Sequence, residues 1–403
     1  MRRTTLRVAI LTMLEPATAG GDHPRALLRI GGMTIARQQV ALAAELRCER
    51  VICIARGLSP DILELQHLVE AGGAQFHLIG QARALLGMVS AVDEIFVLAD
   101  GLFASTAVAA ALLDEGQAVL VQPIDQGLAA GFERIDANWA SAGAMRLPGR
   151  LMERLAELPG DCDAGSALLR IALQAGIRQR PIPQSGNEGL FWSIVRSEDD
   201  AHNLEPHWIR QRTQDDGAPS AARGVALVAV RKFGPALLHA GSGARAVGIA
   251  AALAALLAIG AGWLRFPAVG LGFVAIGWIL RETAVLLARI ESDMGRGPAG
   301  LARKELYGWL LDGIIVVLAA WGTEMHPGQH FIDRLFPSFM LIALLRIVPR
   351  LLAPRWTGWF ADRAVLAIFL TVAIGGGVGS AAIHIAAVLA AIIGIVIPSD
   401  NRN

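Results

Sequence analysis

Cysteine is scarce in this chain. Its 403 residues hold three, Cys48, Cys53 and Cys162, with no metal-ligand spacing between them. They read as reduced core thiols of a cytosolic domain. The nine histidines contain no H-E-x-x-H pair, so no zinc-protease pattern is present. Excess charge of either sign is also missing. A net charge of +1 gives no case for nucleic acid as a partner. The opening MRRTTLRVAILTML has basic residues and then an apolar run too short for a secretory signal. It reads as a first buried strand.

What is abundant is apolar sequence, and it is unevenly placed. Hydrophobic residues make up 54% of the chain, and the mean hydropathy is +0.48. Residues 1–235 carry charges throughout, like a soluble domain. Residues 244–398 hold long runs of Ala, Leu, Ile, Val and Gly. At about 20 residues per crossing, six spans fit: 246–264, 267–288, 306–324, 335–352, 364–380 and 382–398. The last two are short and form a hairpin around Gly375–Gly379, so five spans also fit. Arg223, Arg231, Lys232, Arg289, Arg296, Arg303, Lys304, Arg350, Arg355 and Arg363 fall in the odd-numbered connections. Arg265 and Arg334 stand alone in the opposite ones. The positive-inside rule then places the N-terminal domain and the C-terminus in the cytoplasm of a multi-pass, bacterial-type inner membrane protein. Trp263, Trp309, Trp321, Trp356 and Trp359 lie near span ends, as interfacial anchors do.

Four charges fall inside the spans: Arg281, Glu282, Asp312 and Arg346. A charge in that setting is costly and must be offset by a metal, a basic partner or a polar cavity. A buried pair of Asp312 with Arg281 or Arg346, locking the bundle, is the structural reading. A functional site is the other. Between the halves, Thr213–Arg223 reads as a linker. Val225–Leu238, with Arg231 and Lys232, reads either as an amphipathic helix on a membrane surface or as a connector packed on the soluble domain.

The soluble half alternates strand and helix. Leu6–Leu11, Arg50–Ala55 and Glu94–Ala99 read as strands. Met33–Leu46 and Gln81–Val89 read as helices, and Asp61–Ile79 as a helix–strand unit. Such alternation predicts a mostly parallel sheet covered on both faces. Ligands of such sheets sit beyond the carboxyl ends of the strands, where Asp100 follows EIFVLA.

Pro24–Gln39 (PRALLRIGGMTIARQQ), Phe96–Phe103 (FVLADGLF) and Gly189–Ala201 (GLFWSIVRSEDDA) resemble three segments of sugar and alditol phosphate nucleotidyltransferases. These are P-K-x-L-x-x-x-G-G-x-x-x-x-x-R, the strand end whose aspartate holds Mg²⁺, and G-x-W-x-D-V-x-T-x-E-D. The resemblance implies a GT-A/Rossmann-like α/β fold, with Asp100 on Mg²⁺ and Arg25 on phosphate. Two departures stand out. Leu11–Gly21 (LTMLEPATAGG) replaces the small-residue phosphate loop and brings in Glu15. The second metal aspartate has no acidic match in Trp192–Val195.

The apolar half resembles the CDP-alcohol phosphatidyltransferases, whose motif D-x-x-D-G-x-x-A-R precedes G-x-x-x-D-x-x-x-D. Gly308 and Asp312 match the second part, and Ala288–Arg289 matches the A-R pair. Arg281, Ala284 and Val316 stand at the other three aspartate positions. The resemblance implies a two-metal displacement on a CDP-linked donor, with Asp312 as the surviving catalytic and metal residue. Arg281 and Arg289 are then phosphate or head-group ligands.

The expected organisation is therefore a cytoplasmic nucleotidyltransferase-like α/β domain at 1–212 and a linker with a juxtamembrane helix at 213–243. A CDP-alcohol phosphatidyltransferase-like all-α membrane domain follows at 244–403. The expected function is phospholipid or sphingolipid head-group synthesis, with Mg²⁺ if the chain is active. The alternative is a catalytically inactive scaffold or lipid-binding partner of an active transferase. Expected partners are membrane lipids, a CDP-linked or phosphorylated alcohol, and a second copy of the chain or a partner transferase.

Overall fold

The computed structural model describes residues 5–18, 21–159, 163–183, 191–213, 220–239, 242–293, 301–324, 331–350 and 354–396. The chain divides into two compact units, Met1–Gln211 and Arg212–Asn403.

The first unit is built on a seven-stranded sheet. Its strands are β1 (Arg7–Met13), β2 (Arg50–Ala55), β3 (Gln75–Ile79), β4 (Glu94–Leu98), β5 (Ala118–Pro123), β6 (Trp139–Pro148) and β7 (Gln179–Pro181). In space the order is β7-β5-β6-β4-β1-β2-β3. All pairings are parallel except those of β6, which runs antiparallel to both β4 and β5. β1 is central and buried on both faces, which explains its near-continuous apolar run. Its Ile10 lies beside Ile52 of β2 and Val97 of β4. The helices α1 (Ile35–Glu45), α2 (Pro60–Ala71), α3 (Thr106–Asp114) and α4 (Ala164–Gln174) cover the sheet.

Side-chain caps start three of these helices. Thr34, Ser59 and Asp163 accept from the N–H groups of Arg37, Ile62 and Ser166. The expected helix over Met33–Leu46 loses its first two residues to a hairpin. Arg29–Ile30 pairs with Met33–Thr34, and Gly31 and Gly32 make the turn at φ of +62° and +75°. The buried Glu205 carboxylate accepts from Gly31 N at 2.7 Å and fixes that turn. Residues 82–87 form a 3₁₀ segment where Gln81–Val89 predicted an α-helix.

The second unit is helical. Its main helices are α5 (Ala221–His239), α6 (Gly243–Trp263), α7 (Pro267–Asp293), α8 (Leu301–Gly322), α9 (Phe331–Ile347), α10 (Arg363–Gly375) and α11 (Gly379–Val396). α6 and α7 approach closely through small residues. A Cβ at Gly270 would stand 2.7 Å from the Ala258 carbonyl oxygen. Leu271, Val274, Leu311, Ile315, Ala367 and Leu370 fill the bundle core. The outward face of α6 is apolar too, with Ile249, Leu253, Leu256 and Leu257 all more than half exposed. In water such a surface would be costly, whereas in lipid it costs nothing.

Three helices are long and apolar enough to cross a membrane: Gly243–Trp263, Pro267–Glu291 and Glu305–Gly322. The expectation of six spans is therefore met by three among the described residues. Helix α9 contains Pro337. Helix α10 has 13 residues, or about 20 Å of rise, against roughly 30 Å of hydrocarbon. The helix expected over Val225–Leu238 forms as part of α5. It buries Ala222, Ala226, Val230 and Leu238 within its own unit and turns Val225, Val228 and Phe233 outward. Of the linker Thr213–Arg223, residues 214–219 lie outside the described set, as does Cys162.

Candidate functional site

In the first unit, the loop after β1 and the residues after β4 meet at the carboxyl end of the sheet. Asp100 stands two residues past β4 and is 4% exposed. Its Oδ2 accepts from the backbone N–H groups of Leu14 and Glu15, each at 2.8 Å. Its Oδ1 faces Arg25 Nε at 3.5 Å. Neither Oδ1 nor Nε has a hydrogen-bond partner among the described residues. Burial raises the Asp100 carboxyl from 3.8 to about 6, and Glu15 adds to the rise. The two backbone donors and Arg25 oppose it without cancelling it. Asp100 therefore anchors the loop after β1 through the backbone of Leu14 and Glu15.

A cavity of about 230 Å³ opens beside this pair. Its charged lining is Glu15, Asp100, Glu133 and Asp163 against Arg25 alone. Ile194, two residues after Trp192, also lines it. That is the position where the resemblance calls for a second metal aspartate. Gly131, whose φ is +85°, lines the cavity and has the Arg196 guanidinium packed against it. Trp192 holds this edge in place by donating from Nε1 to the Ala142 carbonyl at 2.7 Å.

In the second unit, Asp312 on α8 is 3% exposed and lies between two arginines. Its Oδ2 accepts from Arg346 Nε at 2.5 Å, and its Oδ1 from Arg363 Nε at 2.7 Å. Arg363 also donates from Nη1 to the Phe360 carbonyl at 2.8 Å. The Arg346 guanidinium stacks on Trp309, 3.4 Å from its ring centroid. Asp312 thus ties α8 to the last turn of α9 and the first turn of α10. Pairing with Arg346 was among the sequence readings. Arg363 was counted as a cytoplasmic loop charge and is instead a buried member of the cluster.

The other expected ligands lie elsewhere. Arg281 pairs with Glu282 at 2.5 Å and sits over Trp278 at 4.6 Å. A Cβ on Gly308 would stand 3.8 Å from Arg281 Nη2, so Arg281 flanks α8 one turn before Asp312. Arg289 is exposed near the end of α7. Glu291 accepts from Ala244 N at 3.1 Å at the start of α6. Glu282 and Glu291 are thus both engaged away from Asp312.

Neither aspartate fits a divalent metal. Mg²⁺ needs several oxygen ligands in near-octahedral geometry. Among the described residues, no three His, Cys, Asp or Glu side chains group to hold an ion. Asp100 faces Arg25 and Ile194, and Asp312 has an arginine on each oxygen. A cation would have to displace a guanidinium to reach Asp312, and at Asp100 it would share Oδ1 with the Arg25 charge 3.5 Å away.

Asp362 gave no sequence signal and is as deeply built in as Asp312. Its Oδ1 caps α10 through Ala364 N and Val365 N, at 3.0 and 3.4 Å. Its Oδ2 accepts from Ala222 N of α5 at 2.8 Å. One carboxylate thus serves two helix N-termini 140 residues apart.

No family model matches this chain, and no curated protein matches it. Solved structures similar to its first half are nucleotidyltransferases. UDP-glucose pyrophosphorylase from Acinetobacter baumanii is 12% identical, covering 51% of this chain and 93% of its own, at a TM-score of 0.38. A putative glucose-1-phosphate thymidylyltransferase from Bacillus anthracis is 14% identical, covering 49% and 94%, at a TM-score of 0.39. UDP-glucose pyrophosphorylase complexed with UDP-glucose is 11% identical, covering 51% and 100%, also at 0.39. At such values, function is read from the chain's own side chains.

Proposed function

We propose that the chain is a non-catalytic member of the head-group transferase type, a membrane-bound scaffold or lipid-binding partner. It carries a cytoplasmic nucleotidyltransferase-like domain at 1–212 and a CDP-alcohol phosphatidyltransferase-like bundle at 244–403. One observation carries this reading: both aspartates that a transferase would give to Mg²⁺ are met by arginine. Arg25 faces Asp100, and Arg346 and Arg363 hold Asp312. Guanidinium keeps its charge at every physiological pH, so the block is permanent. The cavity lining adds to the case, since four carboxylates against one arginine repel a nucleotide triphosphate that arrives without metal.

The bundle sits in the inner membrane through its three long apolar helices, with the shorter ones packed behind. A cytoplasmic soluble domain is the reading that the arginines and lysines in and before α5 and at the start of α8 support under the positive-inside rule. The partners are membrane lipids and an intact transferase or a second copy of the chain.

A divergent transferase is the second reading, favoured by the open cavity beside the unbonded Asp100 Oδ1. Calorimetric titration of the purified full-length protein with CTP, with and without Mg²⁺, separates the two. The scaffold reading expects no Mg²⁺-dependent binding and no pyrophosphate release on addition of a phosphorylated polyol. Metal-dependent binding with turnover overturns it.

A further inference from the structure

The charges around Asp312 do not balance. Two guanidiniums meet the one carboxylate of Asp312. The neighbouring Asp362 is taken up by backbone N–H groups of Ala222, Ala364 and Val365, so the second guanidinium has no carboxylate of its own. Arginine cannot shed that charge by deprotonation. An uncompensated charge in such a place is costly, so the cluster calls for an anion from outside the protein.

The two arginines differ in what they can still do. Arg363 is 4% exposed, and a backbone carbonyl takes its Nη1. Arg346 is open: a quarter of its side chain is exposed, and only its Nε is used on Asp312. Among the described residues, no acceptor other than Asp312 meets it. Trp309 holds its guanidinium flat from one side. The remaining Nη donors form a fork, the geometry that takes a phosphate by two parallel hydrogen bonds.

The surroundings name the source of that phosphate. Trp309, which touches this arginine, and Ile347, which follows it, are each more than half exposed. On the same helix as Trp309, Leu306 is more than half exposed and Leu310 half exposed. A free sugar or polyol phosphate would gain nothing from such a rim. A phospholipid would lay its acyl chains along it, with the indole at head-group level. Arg346 also sits in the last turn of α9, where the helix dipole favours a cation and holds it in place.

We infer that Arg346, backed by Trp309 and the Asp312–Arg363 pair, is a binding site for the phosphate of an anionic phospholipid at the bundle surface. The inference rests on the bundle lying in a membrane, as proposed above. It does not depend on whether either half is catalytic.

The test is native mass spectrometry of the full-length chain in nanodiscs of phosphatidylcholine doped with phosphatidylglycerol. Wild type is compared with Arg346→Gln and Arg346→Lys. Arg346→Gln leaves a neutral Asp312–Arg363 pair, so the fold keeps its buried balance. Wild type should retain phosphatidylglycerol over phosphatidylcholine. Arg346→Gln should lose that preference by about tenfold while its thermal unfolding stays close to wild type. Arg346→Lys should fall between the two, because the charge remains but the two-pronged donor fork is lost. Equal retention in wild type and Arg346→Gln overturns the site. If Arg346→Gln does not fold, equal retention of the two lipids by wild type overturns it as well. Displacement of the lipid by millimolar inorganic phosphate, with Arg346-dependent phosphate adducts, overturns the lipid as the source. Failure of the chain to insert into nanodiscs is a different result and removes the membrane reading itself.

Discussion

Arg363 donates from Nε to Asp312 Oδ1 at 2.7 Å, and both side chains are almost fully buried. The two residues are 51 positions apart. Removing Asp312 leaves the buried Arg363 guanidinium with no carboxylate, whereas removing Arg363 leaves Asp312 held by Arg346. Breaking a buried pair in this way costs roughly 3 kcal/mol or more. Asp312→Asn should therefore lower thermal stability in detergent far more than Arg346→Gln, which is partly exposed and leaves a neutral Asp312–Arg363 pair. A double-mutant cycle of Arg363→Gln with Asp312→Asn should show the double variant losing less than the sum of the two. Additive losses would mean that the pair contributes nothing.

Asp362 satisfies the first turn of α10 and the Ala222 N–H of α5 together. Asp362→Ala should cost about 1–2 kcal/mol for the cap, plus the penalty for the stranded buried N–H. Asp362→Asn keeps one acceptor oxygen where the carboxylate uses two, so it can serve only one of the two N-termini and should recover part of the loss. Hydrogen exchange at Ala222 should rise in the alanine variant, and in the asparagine variant either Ala222 or the first turn of α10 should exchange faster.

Asp100 makes the first unit pH-sensitive. Its folded carboxyl titrates near 6 against 3.8 in the ordinary state, so the fold prefers the protonated form. Stability tied to this group is fully present below about pH 4 and is lost as pH rises through 6. The shift corresponds to roughly 3 kcal/mol. Asp100→Asn should remove this dependence. Its stability relative to wild type should thus rise between pH 4 and pH 7.5. Denaturant unfolding at the two pH values checks this, and a constant difference refutes it.

The buried thiols should be inert. Burial pushes Cys48 up to about 12 and Cys53 further still. Neither should be alkylated by iodoacetamide at pH 8 in the native protein. Both should react fully in denaturant. Peptide mass spectrometry reads the two outcomes, and native labelling of either would contradict the placement of its strand or loop.

Gly131 sits at φ +85° with the Arg196 guanidinium against it; a Cβ there would come 1.1 Å from Arg196 Nη2. Gly131→Ala should cost on the order of 1–2 kcal/mol from the left-handed backbone and displace Arg196. Pairing it with Arg196→Ala should relieve the clash and leave the backbone cost alone. Thermal unfolding of the three variants measures both parts.

The central sheet was legible because its strands are short apolar runs spaced by helices. Arg50–Ala55 appears as expected, and β1 and β4 differ from the reading by one or two residues. The strands β5, β6 and β7 escaped notice. β6 runs antiparallel and is joined by bulged pairing to β5, so it breaks the strand–helix alternation on which the reading relied. At the site, charge scarcity singled out Asp312 and Arg346, because any ion in that apolar stretch stands out. Arg363 did not stand out, since it follows an arginine-rich connection and reads as one more loop charge. Asp362 was hidden for the same reason.

Composition and periodicity alone thus determined the division into a soluble α/β half and an apolar helical half. They also flagged Asp100 and Asp312 as carboxylates needing an explanation. Which groups answer them was decided by the tertiary structure. Arg25 reaches Asp100 across a loop, Ile194 arrives from 94 residues further on, and Arg346 and Arg363 close on Asp312 from two other helices. Ion pairs and metal shells form only within a few ångströms. Distances that short are fixed by how elements pack, which no local pattern along the chain records.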